Sequence, residues 1–284
     1  MIIKRIFNNN VVLVEKENRT EMVIMGKGVA FQKKAGEVLD ETLIEKTFVL
    51  ETRELAAKLS ELLSEIPTRY LELTDQIVTL AEQQLQHKLS NNIYLTLTDH
   101  ISYSITRIGE GMQIKNALLW EIQRFYKKEF AVGLKALHII ESVTGVTLPE
   151  DEAGFIALHF VNAAQGGHEM QETIAVTKIV KDVLNIVKYD YGIEFNEDSL
   201  SYTRFVTHLK YFVYRSLRNE LLHEEEDFLF EQLKGKFPKT YHTTRKIQEY
   251  LHKSHHIELT KEEMVYCMLH IRRVTSREEA KTEE

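Results

Sequence analysis

The chain has 284 residues, 43% of them hydrophobic and 28% charged, so it can bury the cores of two or three ordinary domains. No apolar run approaches the roughly 18–20 residues of a membrane span, so membrane insertion is not expected. The single cysteine, Cys267, excludes an internal disulfide and a cysteine-based zinc site. The net charge of −7 argues against a surface covered with basic patches, and together these features predict a cytoplasmic protein.

Charge is unevenly distributed along the chain. Residues 1–34 contain seven Lys and Arg against three Glu, an excess of four positive charges, and the remainder carries an excess of eleven negative charges. This break predicts a small basic domain followed by an acidic body.

The N-terminal segment, 1–55, has the pattern of a small all-β domain. Four short apolar runs are separated by turn-forming segments, and they lie at Ile2–Phe7, Val11–Val14, Met22–Met25 and Val29–Phe31. We expect them to form one four-stranded antiparallel sheet. Because a unit of this size buries little surface alone, we expect it to dimerise through one face of the sheet.

From Arg53 onward the apolar residues recur with helical spacing. Helices are predicted at Leu55–Ile66, at Asp75–Leu89, from Asn91 or Asn92 onward, and at Asp151–Asn162. Two glycines make the segment 164–172 a predicted linker. We therefore divide the chain into residues 1–55, 56–168 and 169–284, with all-α helical bundles in the second and third domains.

The helical part contains an internal repeat. Three pairs are separated by one common offset along the chain, and they are His100 with His208, Tyr103 with Tyr211 and Arg107 with Arg215. Two further pairs share a second, slightly longer offset, and they are Glu152 with Glu263 and His159 with His270. Thr260 and Glu263 also have the spacing of a capping box. The repeat predicts two homologous domains, each with one histidine on each of two helices.

The repeated histidines are candidates for chemistry. A single histidine on an apolar helix face is usually a hydrogen-bonded core residue. Four histidines that repeat at two matching offsets instead indicate that the imidazole group has a chemical role. Metal binding is weakly supported, because each copy offers only two such histidines and no i, i+4 pair on one helix. Phosphoryl acceptance explains more, since Arg107 and Arg215 follow a histidine by about two helical turns and could pair with a phosphate. A solvated helix end is the alternative for both arginines.

The N-terminal domain carries residues suited to RNA. Phe31 can stack on an unpaired base, and asparagines can read base edges. Gly26 and Gly28 allow the backbone to approach a ribose, and the cations that could meet phosphates are Lys4, Arg5 and Lys27. Each of these is also a common turn or core residue, and Phe31 in particular is a candidate core aromatic. The Gly26-Lys27-Gly28 segment is too short for a dinucleotide fingerprint and lacks the ending of a P-loop.

These motifs together resemble the BglG/SacY/LicT family of transcriptional antiterminators, and the LicT branch in particular. The segments that carry the resemblance are Asn8–Asn10, 26–34, Ile44–Phe48 and the two histidine repeats. The resemblance implies a dimeric RNA-binding domain that grips a hairpin in a nascent leader mRNA and keeps an overlapping terminator from folding. It implies a regulator and not an enzyme, with no cofactor and no metal.

The resemblance also implies roles for individual residues. The expected RNA contacts are Asn10, Gly26, Lys27 and Phe31, with Arg5 behind them, and Lys27 stands where many members have arginine. His100 and His159 match phosphorylation sites at which the sugar permease, enzyme II of the phosphotransferase system (PTS), acts negatively. His208 and His270 match sites at which the carrier protein HPr acts positively.

Two other functional classes stay open on the sequence. A phosphotransferase with histidine intermediates would need a convergent acid, base or nucleotide site, and the sequence shows no such motif. A DNA-binding activator with the same regulation domains would begin with a helix-turn-helix, whereas this chain begins with a strand pattern.

Overall fold

A computed structural model of the chain describes residues 1–16, 21–49, 53–166, 170–218 and 227–282. The chain divides into two compact units, Met1–Met170 and Gln171–Glu284. The division falls inside the predicted linker, 164–172. The first unit contains both the β domain and the first helical domain, so the boundary near residue 55 stays a prediction. Among the described helices, none is long and apolar enough to cross a bilayer.

Four antiparallel strands form one sheet in the order β1-β2-β3-β4. Their bounds are Ile2–Asn8 for β1, Val11–Glu15 for β2, Glu21–Met25 for β3 and Lys46–Val49 for β4. The predicted four-stranded antiparallel sheet is confirmed, and its first three strands lie where the apolar runs place them.

The fourth predicted strand, Val29–Phe31, is wrong. These residues form consecutive turns, in which the N–H of Val29 donates to the carbonyl of Gly26 (3.1 Å) and that of Phe31 to Gly28 (2.9 Å). Val29 is nevertheless fully buried against one face of the sheet. A β-branched side chain thus reaches the core from a turn, and the fourth strand lies further along the chain at Lys46–Val49.

From Arg53 onward, the regular elements of the described chain are all α-helices. Their bounds are Arg53–Glu65 (α1), Arg69–Leu85 (α2), Asn92–Gly109 (α3), Leu119–Phe125 (α4), Lys127–Thr144 (α5), Glu150–Ala164 (α6), Met170–Tyr191 (α7), Leu200–Leu217 (α8), Asp227–Lys236 (α9), Pro238–His255 (α10) and Lys261–Thr282 (α11). The four predicted helices are all present as α1, α2, α3 and α6. The largest displacement is in α2, which begins at Arg69 rather than Asp75 because its first turn starts immediately after Pro67 and Thr68.

The two helical repeats have the same layout. The series α2–α6 and α7–α11 both carry their histidines on the second and fifth helices, and in both series these two helices pack against each other. The capping box at the start of α11 is confirmed: the N–H of Glu263 donates to Thr260 Oγ1 (3.3 Å), and the N–H of Thr260 donates to Glu263 Oε2 (3.2 Å). Two homologous helical domains are therefore confirmed.

Both faces of the sheet are covered within the first unit. Alternation along β2 and β3 directs Val12, Val14, Met22 and Ile24 to one face, where Val29, Ala30 and Leu39 from the β3–β4 connection cover them. The other face carries Val11, Leu13, Val23 and Met25, which share a core with side chains of α1, α2 and α3. A side-chain hydrogen bond from Asn8 to Thr68 and an ion pair between Lys46 and Asp75 join the sheet to the start of α2.

Gly26 occupies a position where any side chain would clash. A Cβ there would lie 1.9 Å from the carbonyl oxygen of Leu43, a backbone atom that cannot rotate away. The same residue joins two loops, because its N–H donates to the carbonyl of Asn10 (3.0 Å). The turn after β3 and the approach to β4 can therefore close only around glycine.

Gly26→Ala should lower the free energy of unfolding by about 1–3 kcal/mol, the usual cost of overpacking a close contact. Urea denaturation followed by circular dichroism measures this change. Gly109→Ala is the matched control, because a Cβ at Gly109 meets nothing within 4 Å and alanine favours the helix. Equal stability of the two variants would contradict the close packing of Gly26 on Leu43.

Candidate functional site

One end of the sheet collects most of the residues expected to contact RNA. Asn10, in the turn between β1 and β2, accepts a hydrogen bond from the N–H of Gly28 on its side-chain oxygen (2.9 Å). Its carbonyl accepts from Gly26, and the carbonyl of Asn9 accepts from Ala30 (2.9 Å). We call Asn10, the segment 26–28 and Phe31 the apical cluster. The asparagine therefore holds the glycine segment in place.

The apical cluster presents an aromatic ring and a cation to solvent. Phe31 is 60% exposed, and Lys27 is exposed as well. The turn that holds them includes two residues with positive φ, Gly28 (+69°) and Gln32 (+56°). Phe31 therefore lies outside the core, contrary to the alternative that it is a core aromatic.

The other two cations of the N-terminal domain lie in the body of the sheet. Arg5 is exposed on β1, opposite Leu13, with its guanidinium 5.4 Å from the ring centre of Phe7. Lys4 forms ion pairs with Glu15 (2.5 Å) and Glu21 (3.1 Å), and hydrogen bonds to these carboxylates raise its pKa. Lys4 is thus engaged by acidic partners, which weakens its interpretation as a phosphate contact.

The first histidine pair lies between α3 and α6. The ring centres of His100 and His159 are 5.0 Å apart, and Phe155 lies 5.8 Å from His100. His159 Nδ1 is 3.3 Å from Thr96 Oγ1. Burial, followed by the nearby charge of His100, lowers the pKa of His159 well below its ordinary value, so that its ring is neutral at physiological pH.

A buried carboxylate organises this first pair. Glu152 on α6 is fully buried and lies 3.1 Å from His100 Nε2 through Oε2, which also accepts from Ser104 Oγ (2.9 Å). Arg107 donates to the other oxygen of Glu152. Burial alone would raise the pKa of Glu152, but the hydrogen bond and charge of His100, then Ser104 and Arg107, hold that pKa below its usual range. The carboxylate is therefore ionised.

An open groove of about 720 Å³ adjoins the first pair. Its walls come from α3 and from α1, the helix that follows the sheet, and the α1 residues on it are Lys58, Glu61, Leu62 and Glu65. His100 and His159 both reach this groove. A donor that transfers a group to either imidazole would therefore work beside charged side chains of α1.

The second histidine pair lies between α8 and α11. The ring centres of His208 and His270 are 4.5 Å apart, and the ring of His270 is stacked between Phe205 (6.1 Å) and Tyr266 (6.5 Å). His208 is exposed, whereas His270 is buried. Burial, together with the positive charges of His208 and two arginines, lowers the pKa of His270 to about 4.

A cavity of about 320 Å³ opens between these two histidines. Arg215 Nη2 and Glu263 Oε1 on its wall are 3.7 Å apart, too far for a good hydrogen bond. Among the described residues, Arg215 Nε and Glu263 Oε1 are buried without a hydrogen-bond partner. Burial raises the pKa of Glu263 despite its bonds to Thr260 and the charge of Arg215. The second site thus holds polar groups that a bound anion or phosphoryl group could satisfy.

The two sites differ although their helices correspond. Glu152 and Glu263 are equivalent in the repeat, but Glu152 contacts a histidine whereas Glu263 caps its own helix. The residue equivalent to Ser104 is Phe212, which offers no hydroxyl. Sequence reasoning missed Glu152 as a site residue, because an acidic residue in the first turn of a helix is already explained by the helix dipole. Its recurrence as Glu263 in the second repeat was the available signal.

Among the residues that the structure describes, no three His, Cys, Asp or Glu side chains converge as a metal site.

Comparison with known proteins matches the domains in which both kinds of site lie. A family model described as CAT RNA binding domain matches residues 1–57, and one described as PRD domain matches residues 75–163 and 181–274. The apical cluster lies inside the first match, and each histidine pair lies inside one of the PRD matches.

Similar proteins extend over the whole chain. The chain is 47% identical over 274 residues to the transcription antiterminator LicT of Bacillus subtilis, covering 96% of this chain and 99% of that protein. It is 44% identical over 284 residues to the β-glucoside operon antiterminator of Dickeya chrysanthemi, covering 100% of both. A crystal structure of GlcT CAT-PRDI matches with a TM-score of 0.51 and 31% identity, covering 57% of this chain and 96% of that one.

The low pKa of His270 has a measurable consequence. An NMR titration of the full chain should place the midpoint of this ring near pH 4 rather than near 6.5. Because the unfolded chain takes up the proton first, the free energy of unfolding should fall as pH drops from 6.5 towards 4, by up to about 3 kcal/mol. His208→Gln should raise the pKa of His270 by removing a like charge. A wild-type midpoint at or above 6.5 would contradict the buried, stacked position of His270.

Proposed function

Because the chain belongs to the family of LicT-type transcription antiterminators, in which a CAT RNA-binding domain precedes two PRD domains, we propose that it binds a hairpin in a nascent leader RNA and prevents the overlapping terminator from folding. The observation that carries this proposal is the apical cluster, which exposes Phe31 and Lys27 on a braced turn. Members of the family are antiterminators and not enzymes, so the histidines serve regulation.

The chemistry of the apical cluster supports RNA as the ligand. An exposed aromatic ring can stack on a base that a bulge or loop leaves unpaired, and such bases are the usual targets of sequence-specific RNA recognition. Lys27 beside it can neutralise a phosphate, and Arg5 adds a second exposed cation on the same domain. Gly28 keeps the backbone free of a side chain where the RNA would approach, whereas Gly26 is buried against Leu43 and shapes the turn.

The two histidine pairs support regulation by phosphorylation. In our proposal the PTS phosphorylates all four, enzyme II acting negatively at His100 and His159 and HPr acting positively at His208 and His270. A neutral imidazole is the nucleophilic form, and the low pKa of His159 and of His270 keeps both rings neutral. Each phosphoryl group would add roughly −1.5 to −2 charges, by analogy with phosphoserine.

The arginines of the two sites are differently placed to receive that charge. Arg215 is 38% exposed and only loosely paired with Glu263, so it can turn towards a phosphate on His208 or His270. Arg107 is buried and already bonded to Glu152, so pairing with a phosphate would require it to exchange one partner for another. We therefore expect Arg215 to be the stronger phosphate partner.

The proposal includes a cytoplasmic homodimer. Leader RNA, HPr and the cytoplasmic part of a sugar permease meet in that compartment, and a symmetric dimer would bring equivalent RNA-binding and histidine-bearing surfaces together. A DNA-binding activator with the same regulation domains is the second candidate. It is less well supported, because the chain begins with a four-stranded domain that matches an RNA-binding family and not with a helix-turn-helix.

The RNA-binding proposal is tested with Phe31→Ala in the full chain. Binding to the leader hairpin should weaken by about 5- to 150-fold, because loss of one base–aromatic stack costs about 1–3 kcal/mol. Affinity of the wild-type protein should also fall steeply with salt. Filter binding measures both, with circular dichroism as a check on folding.

Val38→Ala is the matched control, since Val38 is another exposed apolar residue of the same domain, 65% accessible. Unchanged hairpin affinity in a folded Phe31→Ala protein would remove the apical cluster as the RNA contact. Tighter binding to duplex DNA than to the hairpin would favour the DNA-binding class instead.

The phosphorylation proposal is tested by two substitutions with opposite expected signs. His100→Ala should give antitermination that no longer needs the sugar, because the negative site is lost. His208→Asp should mimic the activating charge and tighten the dimer. In vitro read-through and the dimer dissociation constant measure the two effects. A His208→Asp protein with higher read-through but a weaker dimer would contradict the tightening mechanism while leaving the family assignment intact.

A further inference from the structure

We propose that Glu152 is the positioning residue of the first histidine pair: it holds the Nε2–H of His100 and thereby directs the incoming phosphoryl group to Nδ1. This inference rests on the proposed function, since it specifies the atom at which His100 is modified. It concerns the first pair alone, because the second pair is arranged differently.

The hydrogen-bonding capacity of Glu152 fixes the tautomer of His100. An ionised carboxylate can only accept hydrogen bonds, so the ring nitrogen 3.1 Å from Oε2 has to carry a hydrogen. That nitrogen is Nε2, so the neutral form of the ring, which is the nucleophilic form, has its lone pair on Nδ1. Ser104 and Arg107 donate to the same carboxylate and keep it ionised and oriented. The only nucleophilic nitrogen of this tautomer is therefore Nδ1.

The transfer step balances without any proton transfer. The lone pair of His100 Nδ1 forms the new N–P bond as the bond from phosphorus to the donor atom breaks, and the electrons of the broken bond return to the donor. Positive charge develops on the His100 ring during this step and is shared with Nε2–H. Glu152 faces that hydrogen, so its negative charge stabilises the transition state more than the ground state.

The second pair does not share this arrangement. Glu263 Oε1 has no hydrogen-bond partner among the described residues, and Oε2 accepts from the backbone of Thr260. Neither oxygen is therefore committed to a histidine. Phe212 replaces the serine that would complete the network. The second site consequently lacks the group that would fix one tautomer.

The test uses the full chain and two phosphoryl donors. Nitrogen-15 NMR of the unmodified protein reports which ring nitrogen of His100 carries the hydrogen, and we expect Nε2. The protein is then phosphorylated either by phosphoramidate, a small-molecule donor, or by the purified PTS proteins. Phosphorus–nitrogen correlation spectra assign the modified atom, and we expect Nδ1 of His100 with both donors.

Glu152→Gln removes the negative charge and lets the side chain donate to Nε2 instead. We expect His100 phosphorylation by phosphoramidate to slow by about 100-fold or more, the scale on which loss of one preorganised electrostatic group slows a reaction, and its products to include Nε2 phosphohistidine. Glu150→Gln is the matched control on the same helix, because Glu150 is exposed and bonds to Gln123. It should leave both the rate and the modified atom unchanged.

Ser104→Ala is a second variant for the case that Glu152→Gln does not fold, since burial of the Arg107 charge without its carboxylate partner lowers the free energy of unfolding. It removes one donor to the carboxylate but keeps the carboxylate, so His100 should still be modified at Nδ1. Wild-type modification at Nε2, or a Glu152→Gln protein that is folded and modified at Nδ1 at the wild-type rate, would overturn the inference. Phosphohistidine at Nδ1 with phosphoramidate but none with the PTS proteins would instead contradict the proposed function.

Discussion

A strand with four successive apolar side chains has to be covered on both sides, and β2 and β3 are such strands. The N-terminal part of the molecule follows from this constraint. The connection from β3 to β4 folds back over one face, and that path places Phe31 and Lys27 at the end of the sheet. The opposite face is closed by α1 and α2, which brings the sheet against the first histidine-bearing domain. Burial of the strands thus positions the residues that we propose to contact RNA.

The helical repeats show how one scaffold supports two different electrostatic states. In the first copy, a serine and an arginine complete the hydrogen bonds of a buried carboxylate, which is ionised and bound to His100. In the second copy, Phe212 replaces the serine, and the equivalent carboxylate has a raised pKa and a loose ion pair. The difference arises from side chains around the histidines and not from the fold. Sites with the same backbone can therefore respond differently to the same modification.

The sequence predicted those features that repeat or alternate. Helical spacing located α1, α2, α3 and α6, and two matching offsets located the histidine pairs. It failed where a residue has two physical uses: Val29 has a strand-forming side chain but is buried from a turn, and Glu152 suits a helix N-terminus but contacts His100. The strand Lys46–Val49 was missed because its first two residues are polar and the fourth strand was predicted at Val29–Phe31 instead. Contacts between distant segments, such as Gly26 on Leu43, have no local signal.

The covered face of the sheet has a consequence for assembly. Val11, Leu13, Val23 and Met25 already pack within their own chain, so a second chain that used this face would have to compete with tethered helices. A tethered competitor acts at an effective concentration of about a millimolar for a short linker. Raising the protein concentration would therefore do little to displace the chain's own helices from this face. Which partner occupies that face would depend on the difference between two free energies, that of packing on the chain's own helices and that of packing on a second chain. A change on the helices can reverse the sign of this difference without any change in the sheet.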